Sequence, residues 1–205
     1  EVIAPSLEML GEAGIPVIDL SVRLEGADLF DAFIGADESN AGKVCGDDLM
    51  QRRSNGGTLV IVEDSGNSLI NQRITGFEEA VQSGGFEVIK RIDAGKTTVG
   101  VQAEMEQLLS GAAHIDAVMC GEDRMAKEVL AAFEKTEGTG TVVYSVGGSP
   151  DIKKALLDPQ SPMMGTGALS PVNMGKTAVK TAAAIMEGGQ YEKETTIETF
   201  LISRD

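Results

Sequence analysis

The 205-residue sequence has no tryptophan, and its aromatic residues amount to only 4%. It contains two cysteines, Cys45 and Cys120, which lack metal-ligand spacing and are too few to form a disulfide framework in a chain of this length. We therefore predict two buried free thiols. No apolar run approaches the roughly 18 residues that a membrane-spanning helix requires.

Basic residues are also scarce. The chain carries 17 Lys and Arg against 32 Asp and Glu, which gives a formal net charge of -15 at pH 7. A surface that binds nucleic acid needs clustered Lys and Arg. We therefore expect no nucleic-acid partner.

The motifs of common catalytic machinery are missing as well. The single histidine, His114, precedes a predicted strand among small residues, and no serine lies in a GxSxG nucleophile elbow. The phosphate-binding motif GxxxxGK[ST] is absent, and Asp, Glu and His do not cluster at metal-ligand spacing. The sequence thus indicates a protein that is not an enzyme and that uses neither a cofactor nor a metal ion.

What the sequence does contain is a repeated alternation of short apolar runs and amphipathic segments, which is clearest at 58–77. The run 59–62 is apolar, β-branched and unalternating, which is typical of a strand buried on both faces of a parallel sheet. Polar turn residues follow, and then Ile70, Ile74 and Phe77 recur at helical spacing. This stretch predicts a β-turn-α unit.

The same alternation extends along the whole chain. It predicts strands at 15–20, 32–36, 59–62, 86–92, 115–120, 141–146, 163–168 and 195–203, the last as a partly exposed edge strand. It predicts helices at 6–10, 41–53, 70–81, 99–109, 123–135, 151–157 and 172–186. Repeated β-α units imply an α/β fold with a right-handed, mostly parallel, doubly wound sheet.

Arg73 is the first candidate site residue. It lies three residues after Ile70 and four before Phe77, on or beside the inward stripe of its helix and above the carboxyl end of the preceding strand. Ligands of open α/β sheets bind at that edge. Two interpretations remain open: Arg73 binds a ligand, or it pairs with a nearby carboxylate such as Glu63 or Asp64.

Polar residues follow the other predicted strands at the same edge. They are Asp93 and Lys96 after one strand, Glu122 and Asp123 after the next, and Gly147, Gly148 and Ser149 after a third. Charged and small groups without a nucleophile, metal or phosphate cradle suit reversible binding of a polar small molecule. The alternative interpretation is a set of ordinary solvated loops.

Six motifs occur in order along the chain: GIPVIDL at 14–20, FIGADESNAGK at 33–43, RxxGF at 73–77, AVMCGEDRMA at 117–126, VGGSPD at 146–151 and IMEGG at 185–189. In this order and spacing they resemble those of the type I periplasmic binding proteins, specifically the ribose/galactose-type sugar-binding components of ABC importers. The resemblance covers nearly the whole chain from Gly14 onward.

The resemblance implies a two-lobed α/β fold with the ligand in the cleft between the lobes. Residues 1–36 and 170–193 would form a partial first lobe, and residues 37–169 with 194–205 a complete second, ligand-binding lobe. The front of the first lobe, which in this family usually supplies an aromatic that stacks on the sugar, has no counterpart in this sequence.

The resemblance also implies site residues. Arg73 matches the ligand-binding arginine of the family, whose planar fork can hold two adjacent oxygens. Glu122 falls where sugar binders often carry Asn, with Asp123 beside it, Gly147 where many carry Asp, and Lys96 in a loop where an aromatic is common. These departures favour a modified, amino or acidic sugar derivative over an ordinary aldopentose or hexose.

The implied partners are a sugar-like small molecule and the membrane permease of an ABC transporter, and self-association through the incomplete lobe is also expected. The implied location is the periplasm, or a membrane-anchored extracytoplasmic position. Two other classes stay open. One is the effector-binding core of a LacI-type transcriptional regulator, which shares the fold, and the other is a flavodoxin-like or nucleotide-dependent protein.

Overall fold

The chain forms two units, each built around its own sheet. A computed structural model describes residues 3–24, 27–95, 97–111, 114–135 and 140–205. The smaller unit comprises Glu1–Asp37 and Ser170–Glu198, and the larger unit comprises Glu38–Leu169 and Thr199–Asp205.

Strands and helices alternate through most of the described residues. The strands are β1 (Ile18–Leu20), β2 (Ala32–Ala36), β3 (Gly57–Glu63), β4 (Phe86–Asp93), β5 (Ala117–Cys120), β6 (Val142–Gly147), β7 (Met163–Ala168), β8 (Glu194–Ile197) and β9 (Phe200–Ser203). The α-helices are α1 (Ala4–Glu12), α2 (Glu38–Arg52), α3 (Ser68–Val81), α4 (Val101–Leu109), α5 (Asp123–Phe133), α6 (Pro150–Leu157) and α7 (Pro171–Met186). Among the described residues, no helix combines the length and apolarity needed to cross a bilayer.

The larger unit contains a six-stranded sheet in the order β4-β3-β5-β6-β7-β9. Neighbouring strands are parallel except for β9, which is antiparallel to β7. From β3 the chain moves outward to β4, and from β5 it moves the opposite way to β6 and β7. This is the order of a doubly wound sheet, and it confirms the predicted fold class.

The predicted β-turn-α unit is present as β3 and α3. The side chains at 59–62 are at most 1% exposed, as predicted for a strand buried on both faces, and β3 is a central strand between β4 and β5. Asn67 caps α3: its side-chain oxygen accepts hydrogen bonds from Leu69 N at 3.1 Å and Ile70 N at 3.4 Å. The cap fixes where the helix begins, and so fixes which side chains of α3 face inward.

Helices α2 and α3 pack with their backbones in direct contact. A Cβ added at Gly42 would overlap the carbonyl oxygen of Arg73, and one added at Gly76 would overlap the carbonyl oxygen of Ser39. Only glycine permits such close approach of two helix backbones. The contact brings the first two turns of α2 alongside the second and third turns of α3.

The core of the larger unit includes both cysteines. Cys45 and Cys120 are buried free thiols, as predicted. Burial raises the pKa of each thiol well above its ordinary value. The two residues therefore act as small apolar side chains in the core.

The smaller unit contains a three-stranded parallel sheet in the order β1-β2-β8. Its strand β2 has the predicted bounds, Ala32–Ala36. The helices α1 and α7 belong to the same unit.

The predicted single strand at 195–203 is wrong. It is two strands in two sheets: β8 pairs with β2 in the smaller unit, and β9 pairs with β7 in the larger one. The chain changes sheets at Glu198 and Thr199, and Thr199 is 3% exposed. Residues 194–198 thus lie in the smaller unit, which differs from the boundary expected from the family resemblance.

Candidate functional site

The carboxyl ends of β3 and β5 form the switch point of the larger sheet, since the chain leaves these neighbouring strands in opposite directions. The two strands stay paired up to this edge, where Gly121 N donates to Val62 O at 2.8 Å. Open α/β sheets bind their ligands at such a point. Asp64 follows β3 here, and Glu122 and Asp123 follow β5.

Arg73 reaches this switch point from the second turn of α3. It is 7% exposed, which confirms the prediction that its side chain lies on the inward face of the helix. Its Nε donates to Glu38 Oε2 at 2.6 Å, and its Nη1 donates to Gly121 O at 3.0 Å. Its Nη2 makes no hydrogen bond to a described residue. The guanidinium is therefore held in place with one nitrogen uncommitted.

Glu38 is the partner of Arg73, in place of the predicted Glu63 or Asp64. It is the first residue of α2, it is 5% exposed, and it lies 35 positions from Arg73 in the sequence. The sequence predicted that this helix begins at residue 41, after Glu38, and did not identify this role. The only hint in the sequence was that Glu38 is an acidic residue near the start of a predicted helix. Acidic residues are common at that position because they interact favourably with the helix dipole, so the hint does not point to Arg73.

Asp123 lies at the same edge, and its carboxylate is enclosed by protein donors. Its Oδ1 accepts from Ser145 Oγ at 2.7 Å and Thr166 Oγ1 at 3.3 Å, and its Oδ2 accepts from Ser149 N at 2.6 Å. The side chain ties β6, β7 and the start of α6 together. No sequence motif indicated this network, because the residues that hydrogen-bond to each other in it are 21 or more positions apart.

Gly147 ends β6 beside that carboxylate. Its φ of 146° lies in a region that side chains rarely adopt, and a Cβ there would stand 2.7 Å from Asp123 Oδ2. Glycine is thus required for the loop to pass over Asp123. The next residue, Gly148, donates its N–H to Thr166 Oγ1 at 3.2 Å. The position contributes backbone, not a side chain, to the site.

Glu122 lies at the start of α5 and forms an ion pair with Arg124. The Arg124 guanidinium also donates to Gly95 O at 3.3 Å and lies 3.9 Å from Asp64 Oδ2. Arg124 therefore links the loops that follow β3, β4 and β5.

Lys96 lies outside the described residues. Asp93, at the end of β4, accepts a hydrogen bond from Ser65 Oγ and another from Gly95 N at 3.1 Å. The bond from Ser65 is the main cause that holds the pKa of Asp93 below its ordinary value. Of the five predicted site residues, the structure places Arg73, Glu122, Asp123 and Gly147 at one edge of one sheet.

His114 lies at the opposite edge, before β5. Its side chain is 69% exposed, and its Nε2 is 3.2 Å from Asp116 Oδ1. Among the residues that the structure describes, no three His, Cys, Asp or Glu side chains are placed to hold a metal ion. The described side chains of the candidate site, Arg73, Glu122 and Asp123, form hydrogen bonds and ion pairs.

Comparison with known proteins agrees with the family resemblance of the sequence motifs. The family model described as "periplasmic binding protein domain" matches residues 1–190. The chain is 25% identical over 203 residues to the ribose import binding protein RbsB of Escherichia coli (strain K12), an alignment that covers 98% of this chain and 68% of that protein.

Two solved structures share the fold. One is an ABC transporter periplasmic solute binding protein from Actinobacillus succinogenes 130z with bound D-allose, with a TM-score of 0.86, 21% identity, and coverage of 98% of this chain and 73% of that one. The other is the periplasmic binding protein component of the arabinose ABC transporter from Shewanella sp. ANA-3, bound to L-arabinofuranose, with a TM-score of 0.85, 22% identity, and coverage of 98% and 69%. The chain therefore belongs to the periplasmic binding protein family, in the ribose/galactose-type group that its sequence motifs predicted.

Proposed function

We propose that this chain is the sugar-binding component of an ABC-type importer and that it binds its ligand at the carboxyl edge of the larger sheet. The observation that carries the proposal is the buried guanidinium of Arg73, fixed at the switch point between β3 and β5. Membership of the family and the likeness to a ribose import binding protein support it.

Arg73 is suited to bind a hydroxylated ligand. Glu38 and Gly121 O fix two of its three nitrogens, so little side-chain entropy remains to be lost on binding. The remaining Nη2 can donate two hydrogen bonds. Sugar hydroxyls and ring oxygens are acceptors for such donors.

We propose two different roles for the candidate residues around Arg73. We assign Glu122 and Lys96 to contact or flank the ligand, and Asp123 and Gly147 to position the loop between β6 and α6. The Asp123 carboxylate already accepts three hydrogen bonds, so it has little capacity left for a ligand. Ser149 Oγ, which is buried without a partner among the described residues, is a further candidate contact from this loop.

The wider assignment follows from the relatives. A binding protein of an importer delivers its ligand to a membrane permease and works outside the cytoplasm, and we propose both for this chain. The named curated relative is an import binding protein, and nothing at the described site favours the LacI-type or nucleotide-dependent alternatives. Self-association through the smaller unit stays a prediction.

The test is isothermal titration calorimetry of the chain with D-ribose, D-allose, L-arabinose and D-galactose. We expect at least one to bind, and Arg73→Ala to weaken that binding by about 2 to 4 kcal/mol, since a charged donor is lost. Arg73→Lys keeps the charge without the planar fork and should recover only part of the affinity.

The matched control is Arg91→Ala, which removes a half-exposed arginine that pairs with Glu63 and Glu78. Its affinity should equal that of the unmodified chain. Thermal unfolding of each variant separates lost binding from lost folding. Equal affinity for Arg73→Ala and the unmodified chain would contradict the site assignment.

A further inference from the structure

We propose that Asn55 is a site of spontaneous covalent modification, at which the backbone nitrogen of Gly56 converts the side-chain amide into an aspartyl or isoaspartyl residue. The two residues lie in the loop between α2 and β3, at the amino edge of the larger sheet. The candidate ligand site lies at the carboxyl edge of that sheet. The inference is therefore independent of the proposed function.

The reaction needs no enzyme, oxidant or cofactor. The Gly56 nitrogen loses its proton and attacks the side-chain carbonyl carbon of Asn55, so that a carbon–nitrogen bond forms and ammonia leaves. Water then opens the resulting succinimide ring. Opening at the side-chain carbonyl gives aspartate, and opening at the main-chain carbonyl gives isoaspartate, in which the backbone runs through the former side chain.

Glycine at position 56 makes this asparagine reactive. Asn55 is the only asparagine in the sequence that is followed by glycine, and glycine has no side chain to hinder the attack. The structure also requires glycine there, because φ of Gly56 is 76° and a Cβ would overlap the carbonyl oxygens of Gly84 and Gly85. Close approach of the two loops thus keeps the reactive pair in place.

The surroundings of Asn55 leave the two reacting groups accessible. Asn55 is exposed and lies in a turn outside the helices and strands. Its side chain makes no hydrogen bond to a described residue, and no described residue accepts a hydrogen bond of normal geometry from Gly56 N. The attack therefore does not have to break a hydrogen bond, and water reaches the ring that forms.

The other four asparagines, Asn40, Asn67, Asn71 and Asn173, are restrained. Three of them lie within α2, α3 and α7, and Asn67 caps α3 through its side-chain oxygen. A helix directs the following N–H along its axis and away from the side chain. Asn71 and Asn173 are as exposed to solvent as Asn55, so the local backbone and not exposure separates Asn55 from them.

The isoaspartyl product would lengthen the backbone by one carbon just before β3. Gly57 N donates to Gly85 O at 3.4 Å, so the loop ends at a fixed point on the neighbouring strand connection. We expect the amides at 58 and 59 to exchange hydrogen faster in an aged sample than in Asn55→Asp, which adds the same charge with a normal backbone. Equal exchange in the two samples overturns this structural consequence.

The main experiment incubates the intact chain at mildly alkaline pH and maps the tryptic peptide 54–73, which lies between Arg53 and Arg73. This peptide holds Asn55, Asn67 and Asn71, so one fragmentation spectrum compares all three. The amide-to-carboxyl mass change should appear at Asn55 about tenfold or more faster than at Asn71. A sample digested at the start corrects for modification during digestion, and enzymatic methylation of isoaspartate identifies that product. Equal rates at Asn55 and Asn71 overturn the inference.

The same measurement in urea separates the effect of structure from that of sequence. Unfolding removes the helical restraints, so the rates at Asn67 and Asn71 should rise. The rate at Asn55 should change by less than about threefold, since its turn already permits the attack. If Asn55 reacts more than about tenfold faster in urea than in the folded chain, the turn protects it and the inference fails.

Asn55→Gln tests the assignment to this residue, because attack on a glutamine amide must close a larger and less favourable ring. It should abolish the mass change and the methylation of the peptide. The matched control Asn71→Gln, also at an exposed position, should leave both signals unchanged. Isoaspartate that persists in Asn55→Gln overturns the assignment. Circular dichroism checks that each variant folds, and if Asn55→Gln does not, the peptide map of the unmodified chain decides the question.

Discussion

Replacing Gly42 by alanine tests the helix contact that places Glu38 beside Arg73. The added Cβ would overlap the carbonyl oxygen of Arg73, far inside the ~3.5 Å at which a carbon meets another heavy atom. Both partners are helix backbone, so no side-chain rotation can relieve the overlap. Helices α2 and α3 must move apart, and the hydrogen bond from Arg73 Nε to Glu38 must lengthen.

The expected magnitude combines two opposed terms. Alanine is favoured over glycine in a helix interior by about 1 kcal/mol. Overpacking a well-packed core typically costs about 1 to 3 kcal/mol, and more where the backbone itself must shift. We expect a net loss of about 2 kcal/mol from the larger unit, which corresponds to a fall in Tm of about 4 to 8 °C.

Thermal unfolding followed by circular dichroism measures the Tm. Because the two units can unfold separately, hydrogen exchange of the β3 amides reports on the larger unit alone. The control is Gly175→Ala within α7, where a Cβ would meet nothing within 4 Å. That substitution should raise stability by about 0.5 to 1 kcal/mol through helix propensity.

The reasoning is refuted if Gly42→Ala unfolds at the same temperature as the unmodified chain. It is also refuted if Gly175→Ala lowers stability by as much as Gly42→Ala, since glycine would then matter for a reason other than close approach.

Two further predictions concern carboxylates of the larger unit. Asp123→Asn presents an amide N–H₂ to groups that now donate to a carboxylate. It should therefore lower the free energy of unfolding, measured in urea, by about 2 to 3 kcal/mol. The control Asp47→Asn, in an exposed ion pair within α2, should change that free energy by less than about 0.5 kcal/mol. Asp116→Asn should destabilise the chain by about 1 kcal/mol at pH 7 and by progressively less as the pH falls below the ordinary aspartate pKa of about 3.9. Partial burial acts to raise the pKa of Asp116, but hydrogen bonds from Thr58, followed by electrostatic attraction to His114 and Arg53, outweigh it and lower that pKa.

The sign of the pH effect follows from linkage. A carboxyl whose pKa is lowered by folding contributes stability above its unfolded pKa and loses it as the pH falls through the folded value. Urea unfolding of Asp116→Asn and the unmodified chain from pH 7 to pH 2 should therefore give curves that converge in acid. If the difference in unfolding free energy between Asp116→Asn and the unmodified chain stays constant with pH, Asp116 acts through packing alone. If Asp47→Asn loses as much stability as Asp123→Asn, the buried hydrogen bonds of Asp123 do not explain its effect.

The fold could be predicted from the sequence because burial leaves a local pattern. The continuous apolar run of β3 and the helical spacing of Ile70, Ile74 and Phe77 each lie within a few residues, so they can be identified without knowing what packs against them. The inward phase of Arg73 follows from the same spacing. The candidate edge follows from topology, since the carboxyl ends of parallel strands meet at one side of a sheet.

The partners of the site residues were decided by tertiary structure alone. Glu38 pairs with Arg73 across 35 positions because Gly42 and Gly76 let two helix backbones touch, and no local pattern records that contact. The split of the last predicted strand has the same origin, because alternation is identical whether a strand joins one sheet or two. The sequence by itself determined the elements, the family and the position of Arg73. Packing between distant elements determined which charges at the site are neutralised, because ion pairing depends on distance in space and not on separation along the chain.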